Sequence, residues 1–391
     1  MKILYVTNFY TFRDSSAAVR NNALVKGLLE LGREVDVLTI RFPDTKTSPH
    51  LNYGNVLLTE LFNWSSNAAL NEKAKSSVLL SFARTIYVKV RKIKEFPDRY
   101  YKWPSKIDAS QFSGYDLMIS SSDGKVSHFV GEKIKKYYPE LKWIQIWGDP
   151  WYDDVNTKGL DKFRIPHYEK KLLNKADKVI YISKPTAELI KSKHKEFRDK
   201  IFFVPRSYFN EFNYQVTSDN TIHIVYTGSI QSAHGRNLNP LIDAIEDYNK
   251  NNTKEVVLDL YGPVDLKVKE SIHSPYVVFH GSVDVSDLGK VYETANALLY
   301  VSNKSGSTQI PGKLYDYLGT SSMVLCLINN MEDGIAEYLK TLNDKCYLVI
   351  NDEKYLKNQF AVAVSQMVKT YPPVKDFSPK MVASQVLAVM Y

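Results

Sequence analysis

Two doubly wound α/β domains in tandem is the fold class that this 391-residue sequence predicts. Three observations lead there. The chain is longer than the ~250–300 residues at which one hydrophobic core usually stops growing. Short β-branched runs alternate with stretches of helical apolar spacing from the first residues onward. The alternation breaks at the polar, poorly periodic Ser207–Asn220 and then restarts.

The elements follow in order. Ile3–Thr7 is a β-branched run that fits a strand buried on both faces. Ser15 or Ser16 caps a helix whose apolar positions are Val19, Ala23, Leu24, Gly27, Leu28 and Leu31, and Gly32 ends it. Val35–Ile40 completes a βαβ unit. Asp116–Ser120, Trp143–Ile146, Val179–Ile182 and Phe202–Val204 are the later strands of a first domain spanning 1–210. Ile222–Tyr226 opens a second domain, 218–375. A helix follows with Leu241, Ile242, Ala244 and Ile245, then strands at Val256–Tyr261, Val277–His280, Ala297–Val301, Met323–Ile328 and Tyr347–Ile350. After Pro372 and Pro373, residues 376–391 hold a last helix, Pro379–Tyr391, positioned to cross back to the first domain.

Composition narrows the function classes. Hydrophobic residues make up 44% and charged residues 24%, as in an ordinary globular protein. The two cysteines, Cys326 and Cys346, lie in apolar stretches and read as buried thiols of a reducing compartment, not as a disulfide or zinc framework. The opening MKILYVTNFY has too short an apolar run for a signal peptide, and no run is long enough to span a membrane. A cytoplasmic location is the expectation. The net charge of +8 is uneven: residues 1–217 carry 36 basic and 24 acidic groups, and residues 218–391 carry 15 and 19. A basic first half suggests a negative partner there. Nucleic acid is set aside, because the basic residues are dispersed among acids and no nucleic-acid module is present.

In open α/β sheets ligands sit beyond the carboxyl ends of the strands. Three such loops in the second half stand out. In Tyr226–Leu241, Gly228 and Ser229 let backbone approach a ligand, and Arg236 lies just before a helix. A helix start with an arginine can hold phosphate, and a solvated loop arginine is the alternative. Gly281-Ser282-Val283 follows a strand, and an ordinary turn is its simpler local explanation. In Ser307–Gly319, Lys313 occupies a first helical turn, where a cation opposes the helix dipole, and Asp316 follows. Asp316 either accepts from sugar hydroxyls or faces solvent. In the first half, Ser121–Phe129 places Gly124, Ser127 and His128 at a helix start, His128 being structural on the simpler reading. Trp143–Trp151 ends a strand at Asp149 between Trp147 and Trp151, which read as aromatic walls for a polar ligand. GxGxxG after the opening strands, GxxxxGK[ST], HExxH and Asp-x-Asp are all absent, so no catalytic metal or cofactor is expected.

These pieces, with FPDRYYKW (Phe96–Trp103), EKKLLNKADKVIYIS (Glu169–Ser183), PGKLYDYLG (Pro311–Gly319) and DFSPK, resemble glycosyltransferase family 4 in order and spacing over nearly the whole chain, and most of all its bacterial cell-surface polysaccharide branch. The resemblance implies the GT-B fold, two Rossmann-like domains facing a central cleft. It also implies sugar transfer with retention of configuration, from a nucleotide-sugar donor to a glycan or lipid-linked glycan acceptor. Arg236 matches the donor-phosphate lysine and Lys313 a second basic position. Asp316 stands where a glutamate meets the donor ribose, and Gly281, Ser282 and Val283 match the turn that meets the nucleobase. Asp149 takes the place of a histidine near the transferred sugar, and is assigned with Arg236 and Lys313 to the catalytic set. Gly228, Ser229 and Thr308 complete the donor side. Thr308 replaces a glutamate, and Ser229 stands where many members have arginine. Ser15, Ser16, Arg20, His128 and Trp151 are the acceptor-side positions.

Two other readings share the fold: a catalytically inactive binding subunit, which the Thr308 replacement would fit, and a nucleotide-sugar epimerase. In Leu79–Lys94, apolar residues run along one side and Arg84, Arg91, Lys92 and Lys94 lie on others. That pattern fits an interfacial helix on an anionic membrane, and a core-packed helix with a solvated basic face is the simpler reading.

Overall fold

The computed structural model describes residues 1–13, 15–61, 95–152, 159–217, 220–231, 236–303, 306–342 and 344–391. The basic amphipathic stretch Leu79–Lys94 lies outside the described residues. The chain divides into two compact units, Met1–Pro205 with Val382–Tyr391, and Arg206–Met381.

Unit 1 runs β1 (Lys2–Val6), α1 (Ser16–Glu30), β2 (Glu34–Ile40), β3 (Asn55–Thr59), α2 (Trp103–Lys106), β4 (Leu117–Ser122), α3 (Val126–Tyr137), β5 (Lys142–Trp147), α4 (Asp161–Lys175), β6 (Lys178–Tyr181), α5 (Lys184–Lys193) and β7 (Ile201–Phe203). Its described strands form one parallel sheet in the order β3-β2-β1-β4-β5-β6-β7. Because β1 is central and covered on both faces, its sequence is a continuous apolar run. Ser15 caps α1 by accepting from the Ala18 N–H, and Gly32 leaves the helix at φ 70°. The sequence reading omitted β3. It is a five-residue edge strand, and its pairing with β2 supplies what its local pattern does not.

Helices α3, α4 and α5 cover one face of this sheet, contributing Val130, Ile134, Leu172, Leu173 and Ile190 to its core. The other face is covered by α1 and by the last helix, α12 (Pro379–Ala388), through Val382, Ala383, Val386 and Leu387. The carboxyl-terminal helix therefore crosses back to the first unit, as the sequence suggested.

Unit 2 runs β8 (Thr221–Thr227), α6 (Asn239–Asn251), β9 (Glu255–Tyr261), α7 (Leu266–Ser271), β10 (Val277–Gly281), α8 (Leu288–Glu293), β11 (Ala297–Val301), α9 (Lys313–Leu318), β12 (Met323–Ile328), α10 (Gly334–Lys340), β13 (Cys346–Ile350) and α11 (Glu353–Met367). Its described strands form a parallel sheet ordered β10-β9-β8-β11-β12-β13. One core face joins the sheet to α6 and α11. The residues Leu241, Ile242, Ala244 and Ile245 that mark α6 in the sequence are its buried stripe. Cys326 is buried, whereas Cys346, on the edge strand β13, is only half-buried, which corrects the expectation of two buried thiols.

In both sheets the strand order reverses beside the first strand, between β1 and β4 and between β8 and β11. Those reversals leave crevices at the strands' carboxyl ends.

Candidate functional site

In unit 2 the carboxyl ends of β8, β9 and β10 are knitted into a glycine ledge. The Gly228 N–H donates to the Tyr261 carbonyl (2.7 Å) and the Gly262 N–H to the Gly281 carbonyl (2.6 Å). Gly262, at φ 132°, has no room for a side chain, since a Cβ would fall on the Gly228 carbonyl. Gly228 itself sits at φ 150°, and a Cβ there would meet Lys313 Cε at 3.4 Å.

Two cations reach this ledge. Arg236 crosses the β8/β11 reversal. Its Nη1 donates to Tyr226 Oη (2.8 Å) and the Ser229 carbonyl (3.2 Å), and its Nη2 donates to Asn303 Oδ1 (3.0 Å). Among the described residues its acceptors are all neutral, so they hold the guanidinium in place without cancelling its charge.

Lys313 opens α9 and has no hydrogen bond or ion pair among the described residues. Burial pushes its ammonium pKa down, Asp316 pulls it back up, and the Arg206 charge lowers it further. Asp316, one turn on, accepts from Arg206 Nη2 at 3.1 Å, so its charge is already engaged. Tyr317 ties α9 to β8, its Oη accepting the Thr227 N–H at 2.9 Å. The structure thus brings Gly228, Ser229, Arg236 and Lys313 together. Thr308 is half-buried ahead of α9, and Gly281 and Ser282 are exposed beyond β10 with Val283 half-buried.

Unit 1 has a different arrangement at the carboxyl ends of β4 and β5. Arg20, 8% exposed, donates from Nη1 to Asp123 Oδ1 (3.2 Å) and from Nη2 to Asp123 Oδ2 (3.3 Å) and the Ser122 carbonyl (3.1 Å). Burial works against its charge, and Asp123, with Tyr5 and Asp149, together outweigh that and raise its pKa. Gly148 lets the chain pass over this pair, since a Cβ there would come within 2.5 Å of Asp123 Oδ1 and 2.7 Å of Arg20 Nη1. Lys125, equally buried, donates to the Asp149 carbonyl (2.9 Å) and lies 5.1 Å from the centre of the Trp147 ring. Ser15 is spent on the α1 cap and Ser16 is the first residue of that helix.

Two assigned residues lie deeper than the sequence reading placed them. His128 is fully buried, with Nδ1 2.8 Å from Ser120 Oγ and its ring against Trp147. Burial and the nearby Lys125 charge hold it well below the usual imidazole range, so it is neutral at physiological pH. Trp151 stacks on Phe96 at 5.6 Å and is 7% exposed, and Trp147 is fully buried. They belong to the core and are not open walls around Asp149. Apolar spacing could not reveal this, because a tryptophan after a strand suits either place. Asp149 is half-buried beside both Arg20 and Lys125, whose charges it stabilises.

Sequence reasoning missed Lys125, Asp123, Glu169, Arg206 and Asn303. Lys125 stood in a quoted motif, directly after a glycine and before a helix. Asp123 and Glu169 also lie in stretches that carry the resemblance, whereas Arg206 and Asn303 carried no local signal. Among the described residues, no group of three or more His, Cys, Asp or Glu could hold a metal ion, and no helix is long and apolar enough to cross a membrane.

No protein-family model and no curated protein sequence matches the chain. Solved structures do. A sucrose-phosphate synthase from Thermosynechococcus elongatus aligns at a TM-score of 0.62 and 15% identity, over 100% of this chain and 94% of that one. The pneumococcal O-GlcNAc transferase GtfA, solved with UDP and GlcNAc, aligns at 0.60 and 10%, over 100% and 99%. This is the GT-B fold. A putative UDP-N-acetylglucosamine 2-epimerase from Listeria monocytogenes also aligns, at 0.54 and 11%, over 99% of this chain and 95% of that one. Identities this low show the fold alone.

Proposed function

We propose that the chain is a retaining glycosyltransferase of cell-surface polysaccharide synthesis, moving a sugar from a nucleotide-activated donor to a glycan or lipid-linked glycan. The observation that carries this reading is Lys313, a desolvated cation with no hydrogen bond or ion pair among the described residues, beside the Gly228 ledge that Arg236 also reaches. Breaking the anomeric bond builds negative charge on a departing nucleoside diphosphate. Fixed cations and free backbone donors stabilise that charge more in the transition state than in the ground state, without a metal. The acceptor attacks from the leaving-group face, and the donor phosphate takes its proton. Asp149 orients sugar or acceptor hydroxyls on the unit 1 side. The basic balance of residues 1–217 suits a cytoplasmic protein resting on an anionic membrane that holds a lipid-linked acceptor.

The test is nucleotide release from a panel of nucleotide sugars, with and without a chelator. Release that persists in chelator and is lost in Arg236→Ala and Lys313→Ala supports the reading. Wild-type release in both variants removes the phosphate assignment. Thr308 favours a second reading, a binding-only subunit, which would bind a nucleotide and release none.

A further inference from the structure

The loop from Trp147 to Tyr152 is held at two backbone points by two buried side chains, a lysine and a glutamate. Lys125 donates to the Asp149 carbonyl at 2.9 Å from the threshold of α3. Glu169, fully buried on α4, accepts the Tyr152 N–H through Oε2 at 3.0 Å and faces His194 Nε2 at 3.4 Å through Oε1. Between those grips lie Pro150, which fixes its own φ, and Trp151, packed on Phe96. The loop's near end is held as well: the Gly148 N–H donates to the Ser122 carbonyl (3.3 Å) and the Trp147 carbonyl accepts from the Ile182 N–H (3.3 Å).

Holding two loop backbone groups with ionised side chains is an unusual choice if stability is all that is needed. Removing a charge from water costs several kcal/mol, and a backbone partner returns only part of it, with Asp149 and Asp123 around Lys125 and His194 beside Glu169 supplying more. An apolar side chain of the same volume would pack as well without that cost. What the ions add is direction. Each charge-assisted bond fixes one backbone atom, and together they fix the span that carries the Asp149 carboxylate.

We propose that Lys125 and Glu169 are positioning residues that preset the Asp149 loop for its ligand. Neither acts on the ligand itself. The inference rests on the transfer reading for the ligand's identity, but not for the clamp. In its resting geometry the loop already has Asp149 beside Arg20 and Lys125, so binding orders little further.

The experiment compares Lys125→Met, Lys125→Arg and Glu169→Gln with the wild type by amide hydrogen exchange over residues 147–152 and by steady-state transfer. Expected are at least tenfold faster exchange in that span for Lys125→Met and Glu169→Gln, and a 10–100-fold fall in kcat. The donor KM and UDP affinity should stay within about twofold, and Lys125→Arg should recover most of kcat. Unchanged exchange, or faster exchange with unchanged kcat, overturns the proposal. So does a parallel loss of UDP affinity, which would mean general unfolding. If the wild type turns over no donor, the transfer reading fails. The clamp is then judged by exchange alone, and equal exchange in all four proteins overturns it.

Discussion

The carboxyl ends of β4 and β5 in unit 1 and those of β8 and β9 in unit 2 hold two buried or half-buried cations each, with opposite electrostatics. In unit 1, Arg20 is paired with Asp123, and Lys125 lies among Asp149, Asp123 and Glu169. In unit 2, among the described residues, Arg236 bonds neutral acceptors, Lys313 has no hydrogen bond or ion pair, and the carboxylate that acts on Lys313, Asp316, is engaged by Arg206. The sequence halves run the other way, since the first is strongly basic and the second mildly acidic. Net charge therefore says little about where an anion binds. An uncancelled, desolvated cation says more, because its attraction is not screened by solvent or shared with a partner.

The largest effects should separate these two sites. Arg236→Ala and Lys313→Ala are each expected to weaken nucleoside diphosphate binding by about 30-fold or more, the range seen when a desolvated charge contact is truncated. Calorimetric titration checks this. Lys313→Ala should leave the unfolding midpoint of unit 2 unchanged or raised, because it removes a desolvated charge that Asp316 offsets only in part.

Arg20→Met should do the reverse. It strands the Asp123 carboxylate, so urea unfolding should show a loss of about 3 kcal/mol while nucleotide affinity stays as in the wild type. Equal nucleotide loss in both variants would dissolve the contrast. Gly148→Ala should fall between them, since its Cβ must displace Asp123 or Arg20, with about 1–3 kcal/mol lost in the same assay.

The smallest effect is a pH dependence in unit 2. Lys345, 1% exposed, donates to the Thr320 and Leu318 carbonyls at the end of α9. Burial lowers its pKa to about 7, with the Cys346 charge opposing. The unfolded side chain titrates near ~10.4. Between those values the unfolded state binds more protons than the native state, so stability rises as pH rises through 7, by at most about 1.4 kcal/mol per unit. Below pH 7 both states are protonated and this contribution is flat. Urea midpoints from pH 6 to 9 should show that slope in the wild type and lose it in Lys345→Met.

Strand β1 and the α6 stripe were readable because burial on two faces, or on one helical face, leaves a periodic apolar record. Edge strand β3 left none, since its partner β2 decides its pairing. The same limit divides the site. Gly228, Arg236 and Lys313 were visible as glycine and cations beyond strand ends. Arg206 and Asn303 were not, because each meets its partner across more than 60 residues of chain.

What the amino-acid sequence determined by itself was the alternation of strands and helices, their restart near residue 220, and which loops follow the strands, all properties of local periodicity. Only the tertiary structure decided which charges are cancelled. It paired Arg20 with Asp123, engaged Asp316 with Arg206, buried His128 and Trp151, and left Lys313 at the Gly228 ledge with no hydrogen bond or ion pair among the described residues. Charge cancellation depends on distance and desolvation in space, and neither is recorded in residue order.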